Sequence, residues 1–135
     1  MLRKFLPFLL AAIPLAAAAS EAPQAQESFH DHISAEQLKS WYDQSKEMVV
    51  LDARSKHNGI FLPNAKWLPS ESTDNEIMAT LPSKESFIVV YCYNETCPAS
   101  GWLYDKLTKL GYKNVYEYPG GLMDWMKRGF PTTKQ

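Results

Sequence analysis

Cys92 and Cys97 are the only two cysteines of the 135-residue chain, and both stand in one stretch, YCYNETCPAS. An apolar run, Phe87 to Tyr91, ends directly before Cys92, and a helical pattern begins after Cys97. A disulfide across that spacing closes a loop too short to restrict the unfolded chain much, so it makes a poor structural staple. A thiol between a strand end and a helix start has a better use. The helix N-terminus offers unpaired N–H groups and a partial positive charge, and both favour thiolate over thiol. The intervening residues Tyr93, Asn94, Glu95 and Thr96 can curl their amides round an anion bonded to the sulfur. The pattern suits a nucleophilic sulfur that carries a charged adduct. The plainer alternative is that Cys92 is a buried core cysteine at a strand end. The first bond-making role falls on Cys92, with Cys97 as its partner. Cys97 stays open as the nucleophile, because it lies nearer the helix start and precedes Pro98.

Alternating strands and helices must position these residues. Ser34 caps a helix in ISAEQL, with Gln37 at the capping-box position and Leu38, Trp41 and Tyr42 on one face. Met48 to Leu51 reads as a buried strand that stops at Asp52-Ala53-Arg54. Lys66 to Leu68 reads as a brief strand, and Ile77, Met78 and Leu81 as a short helix. Phe87 to Tyr91 is the clearest strand. Leu103 or Trp102, Leu107 and Leu110 then recur at helical spacing up to Gly111. Asn114 to Tyr118 is a further strand, and Leu122, Trp125 and Met126 form the apolar face of a last helix. This order predicts an α/β domain, a parallel sheet with helices on both faces. Sites in such sheets gather at the carboxyl ends of the strands. Asp52 and Cys92 each lie just past such an end.

The ends and the composition narrow the setting. Arg3 and Lys4, an apolar stretch from Phe5 to about Ala19 and small residues before Ser20 have the layout of a secretory signal, short for a membrane span; Pro14 and the alanines after it count against the alternative of an uncleaved anchor. Residues 1–19 are therefore expected to be a signal peptide, residues 20–31 a flexible leader and residues 32–135 the domain. Export to the periplasm or the exterior follows, with no membrane attachment after cleavage. The formal net charge is -1 with both signs interspersed, which excludes a nucleic-acid surface. His30 and His32 flank Asp31 in that leader, a poor metal cage, and read as solvated or edge residues. Neither metal nor other cofactor is expected.

The segments ISAEQL, MVVLDAR, LPNAKWLP, IVVYC, LGYKNVYEYPGGLMDW and GFP together resemble the rhodanese-like domain, from about Ile33 to Pro131. The closing part, Gly111 to Gly121 and Trp125 to Pro131, carries the most specific likeness. The resemblance implies a three-layer rhodanese-like fold and a sulfurtransferase. In that family a loop cysteine accepts sulfane sulfur as a persulfide from a small donor and hands it to a thiol acceptor, a small molecule or a protein. Cys92 sits where the family places its nucleophile. Asp52 and Arg54 match the strand-end pair that supports the active-site loop.

Three departures stand out. The loop from Tyr93 to Ser100 has no basic residue, includes Glu95 and is about two residues longer than the family's usual loop. Phe61 replaces the family's histidine, and Cys97 is an additional thiol. Without a loop arginine, phosphate-ester hydrolysis is rejected, and Arg54 becomes the expected cation for an anionic substrate. Lys56 and His57 read first as a charged exposed turn, and second as a source of anion attraction. Trp41, Trp102 and Trp125 are expected in or at the core, and Asp124 as a solvated charge. Two further readings remain: a thiol–disulfide redox protein using Cys92 and Cys97, and a rhodanese-like binding module without turnover.

Overall fold

A computed structural model describes residues 29–135. The predicted signal peptide and most of the predicted leader lie outside the described residues. The elements follow in the order α1 (Ala35–Asp43), β1 (Val49–Asp52), β2 (Ile60–Phe61), β3 (Lys66–Trp67), α2 (Asp74–Thr80), β4 (Phe87–Tyr91), α3 (Ala99–Lys109), β5 (Asn114–Tyr118), α4 (Gly121–Lys127) and β6 (Thr133–Lys134). Local chemistry accounts for the helix starts. The Ser34 hydroxyl accepts the Gln37 N–H at α1, and Thr73 and Glu76 form a reciprocal capping box at α2.

The main sheet has the order β3-β1-β4-β5, and all of its pairings are parallel. Its strands read as apolar runs because helices cover both faces. Adjacent residues point to opposite faces. Leu51, Ile88, Val90 and Val115 pack with Ile77 of α2 and with Leu103 and Leu107 of α3. Val50, Val89, Tyr91 and Tyr118 pack with Ala35 and Leu38 of α1 and with Leu122 and Trp125 of α4. Burial of each such aliphatic side chain is worth about 1.5–3 kcal/mol. The expected three-layer architecture is the observed one.

From β1 the chain passes outward to β3, then returns to form β4 on the other side of β1. The two central strands β1 and β4 thus flank a topological switch point, where open α/β sheets form their crevices. Asp52 is in register with Tyr91, so Asp52 and Cys92 leave the same edge of the sheet.

Three details differ from the sequence reading. A second, antiparallel sheet pairs β2 with β6, each only two residues long and too short to show periodicity. Trp102 is 58% exposed, because Leu103 and Leu107 take the buried stripe of α3. Met126 is also exposed: the Trp125 indole fills the space beneath α4, against Tyr42, Tyr118 and Phe130. Among the described residues, no helix is long and apolar enough to cross a membrane.

Candidate functional site

The strand end of β1 is held by a buried polar cluster. Asp52 is fully buried and accepts from Arg54 Nε (2.9 Å to each oxygen), from Arg54 Nη2 (2.6 Å) and from the Tyr91 hydroxyl (3.1 Å). Tyr91 in turn accepts the Leu62 N–H, and burial with the adjacent Asp52 charge pushes its phenol pKa far up, so it remains a donor. Arg54 reaches on to the Ile60 carbonyl (2.8 Å) and to Asn58 (3.3 Å). Asp52 neutralises Arg54, and the pair braces the turn from β1 to β2 beside the residue that precedes Cys92. With its guanidinium so engaged, Arg54 contributes little free charge to a ligand.

Cys92 and Cys97 are joined as a disulfide with Cα atoms 6.1 Å apart. The two sulfurs differ in access. Cys92 is 1% exposed and packs in the core among residues of β1, β4 and α3, whereas Cys97 is half-buried and opens to a cleft of about 520 Å³. The loop between them is shaped by Asn94, whose side chain accepts from the Thr96 N–H and hydroxyl (3.1 and 2.9 Å) and whose carbonyl accepts the Cys97 N–H. Pro98 occupies the cap position of α3, which has no side-chain cap. The first N–H groups of the helix therefore lack a side-chain acceptor two residues after Cys97.

A second helix end seals the loop from the other side. Leu122 and Met123 at the start of α4 donate their N–H groups to the Cys92 carbonyl (3.0 Å) and the Tyr93 carbonyl (2.9 Å). Gly121 permits that approach. Its φ is +71°, and a Cβ there would stand 2.7 Å from the Cys92 carbonyl oxygen and 2.8 Å from the Tyr93 carbonyl carbon. The sequence shows Gly120-Gly121 as a turn, but only the packing reveals that Gly121 presses on the cysteine loop.

The turn from Arg54 to Asn58 forms a wall of the cleft, with Tyr93, Glu71 and Trp102 completing the lining. Of the residues expected to bind substrate, Tyr93 and Arg54 line the cleft, Asn94 and Thr96 bond to one another, and Glu95 is exposed outside the cleft lining. Lys56 and His57 do line it. His57 Nδ1 accepts the Gly59 N–H (3.2 Å), which leaves Nε2 as the protonated nitrogen of the neutral ring. Phe61, standing where the family has histidine, lies beneath this wall with the Arg54 guanidinium carbon 5.6 Å from its ring centre. Trp102 was missed as a wall residue because one helical turn of sequence does not reveal which of two adjacent apolar residues faces inward.

His30 and His32 lie elsewhere, as edge residues docked on β5: His30 is half-buried and His32 is exposed. The Ile33 N–H donates to the Glu117 carbonyl (2.9 Å) and the Glu117 N–H to the Asp31 carbonyl (2.8 Å), which docks this segment along β5. His30 bonds Glu117 and Asp105, each at 2.8 Å, and His32 bonds Glu117 at 3.0 Å. Burial disfavours protonation of His30, but the bonds and charges of Glu117 and Asp105 outweigh it and raise its pKa above the ordinary 6.5. Asp124 is likewise engaged, by the Tyr118 hydroxyl (2.6 Å) and by Arg128 (3.1 Å).

Comparison with known proteins agrees with this architecture. A search of curated proteins finds no match. A protein from Bacillus halodurans has a similar structure, with a TM-score of 0.70, 22% identity and 77% of each chain covered. Thiosulfate sulfurtransferase from Pseudomonas aeruginosa gives a TM-score of 0.66 at 19% identity, covering 78% of this chain and 20% of that one. A rhodanese from E. coli, described with anions, gives 0.54 at 26% identity, covering 65% of this chain and 99% of its own. The rhodanese-like domain family matches residues 34–128, from the cap of α1 to the end of α4, and the chain belongs to that family.

Proposed function

We propose that this domain is a sulfurtransferase or sulfur carrier whose loop cysteine takes sulfane sulfur from a small anionic donor and passes it to a thiol acceptor. The observation that carries this reading is the placement of both cysteines past the end of β4, at the switch point. One sulfur opens to a cleft that Lys56 and His57 also line. Family membership supports it, as does the structural likeness to a thiosulfate sulfurtransferase.

The chemistry starts from the reduced pair. A dithiol reductant attacks the accessible Cys97 sulfur, the Cys92 thiolate leaves, and the second reductant thiol completes the exchange. Cys92 is covered in the disulfide form, so the reduced loop must open it to the cleft before its thiolate attacks the outer sulfur of a donor such as thiosulfate. The donor's S–S bond breaks, sulfite departs with the electron pair, and Cys92 persulfide remains. An acceptor thiolate then attacks the terminal sulfur, becomes a persulfide and restores the Cys92 thiolate. If the Cys97 thiolate attacks Cys92 Sγ instead, hydrosulfide leaves and the disulfide forms again. Export, supported by the layout of residues 1–20, would make an external dithiol reductant the partner that resets the site. N-terminal sequencing of the mature protein should then begin near Ser20, and a retained Met1 in a cytoplasmic protein would contradict export.

A second reading, thiol–disulfide exchange with no sulfur held, is favoured by the bonded pair with one reachable sulfur. Intact mass after reduction and exposure to thiosulfate separates the two. Cys97→Ser should gain about one sulfur atom and hold it longer than the parent, because no resolving thiol remains. Cys92→Ser should gain none. Uptake by Cys92→Ser equal to the parent's assigns the nucleophile to Cys97. Absence of uptake in both variants, with a parent that cycles with a dithiol, leaves the redox reading.

A further inference from the structure

Glu117 sits on β5, where a strand residue of a sheet covered on both faces should be apolar, yet its carboxylate is buried at 6% exposure. Each of its oxygens has partners. Oε1 lies 2.8 Å from His30 Nδ1 and 3.0 Å from His32 Nε2, and Oε2 accepts the Ser100 hydroxyl at 2.6 Å. The three atoms Nδ1, Nε2 and Oε1 all lie within 4.8 Å of one another. Three ligands of a tetrahedral zinc ion, at about 2.0–2.1 Å from the metal, stand roughly 3.3–3.5 Å apart. To admit the ion, both imidazoles must retreat from Glu117 by a few tenths of an ångström, and the two ring nitrogens, which lie within 4.8 Å of each other, must settle at that same spacing.

The groups behind these atoms match what a metal site needs. Asp105 holds the other ring nitrogen of His30, Nε2, at 2.8 Å, so the ring stays aimed at Glu117 and a metal that displaces the Nδ1 proton meets the Nδ1 lone pair there. A carboxylate behind a ligating histidine, fixing its tautomer and orientation, is a recurrent partner of zinc. Ser100 fixes the carboxylate from behind in the same way. Gly101 makes room: a Cβ there would meet His30 Cε1 at 3.2 Å. His32, with a side chain 57% exposed, leaves one coordination position open to water.

We propose that His30 Nδ1, His32 Nε2 and Glu117 Oε1 form a binding site for a divalent first-row cation, zinc above all. The two imidazoles and one carboxylate suit zinc, whereas magnesium and calcium take all-oxygen sets. None of the three residues lines the cysteine cleft. The ion would tie the segment before α1 to β5 and, through Ser100 and Asp105, to the helix that follows the cysteine loop.

Zn²⁺ binding to the disulfide form of the chain, in which the thiols cannot compete, tests this by equilibrium dialysis with metal analysis. One ion per chain is expected. His32→Ala, at an exposed side chain, should weaken binding at least tenfold while the circular dichroism spectrum stays that of the parent. Asp105→Asn should weaken it about tenfold through His30, and His57→Ala, in the cleft, should leave it unchanged. Zn²⁺ should raise the melting temperature of the parent and not that of His32→Ala. No bound zinc, or zinc retained in His32→Ala, or zinc lost only in His57→Ala, overturns the proposal and leaves a plain ion-pair clasp.

Discussion

Single residues separate bracing from binding in the cleft. Arg54 was the expected cation, but Asp52 occupies its guanidinium within the protein interior. Removing one partner of a buried pair leaves an uncompensated charge and costs about 3–5 kcal/mol. Arg54→Ala should therefore lower the urea midpoint markedly, whatever it does to sulfur transfer. Lys56→Ala should leave the midpoint within about 0.5 kcal/mol of the parent, as exposed substitutions do. It should also reduce the rate with an anionic donor, by a factor that shrinks as salt is raised. Equal loss of stability in both variants would show that Arg54 does not brace the turn. Glu95→Ala, outside the cleft lining, should raise that rate slightly or leave it unchanged.

Among the elements, the contact of α4 with the cysteine loop decides how the sulfurs are presented. Gly121 and Gly111 both have positive φ, +71° and +94°, but a Cβ at Gly111 meets nothing within 4 Å. Gly111→Ala should show only the conformational cost, about 1 kcal/mol. Gly121→Ala adds collision with the Cys92 and Tyr93 backbone. It should lose clearly more stability in urea unfolding, and its disulfide should be reduced faster by a dithiol as the loop is displaced. Similar effects of the two substitutions would mean that the close approach is not needed.

At the scale of the whole molecule, Asp124 links α4 to β5 through Tyr118 and to its own helix through Arg128, which also pairs with Glu36 of α1. Partial burial opposes ionisation of Asp124, but the Tyr118 and Arg128 bonds, with Lys127 nearby, outweigh it and hold its pKa below 3.8. A carboxyl depressed on folding contributes stability above its unfolded value, and that contribution disappears as pH falls through the folded one. Asp124→Asn should thus be less stable than the parent at pH 7. The gap should close as pH drops below about 3.8. A gap that stays constant into acid would remove Asp124 from the account of acid stability.

Strand and helix positions, and the meeting of Asp52 and Cys92 at one sheet edge, were legible from the chain alone. Apolar runs, cap residues and punctuating glycines are local signals, and an alternating order of strands and helices leaves few topologies. The long-range arrangements were not legible. Nothing near Glu117 in sequence announces His30 and His32, 87 and 85 residues away. Nor does the turn after β1 announce that Lys56 and His57 line the same cleft as Cys97. The two-residue strands β2 and β6 exist only because their partners hold them. Periodicity records which side of an element is apolar. Which polar groups meet, and which of two neighbouring sulfurs is covered, depends on how separate elements pack, and only the tertiary structure decided that.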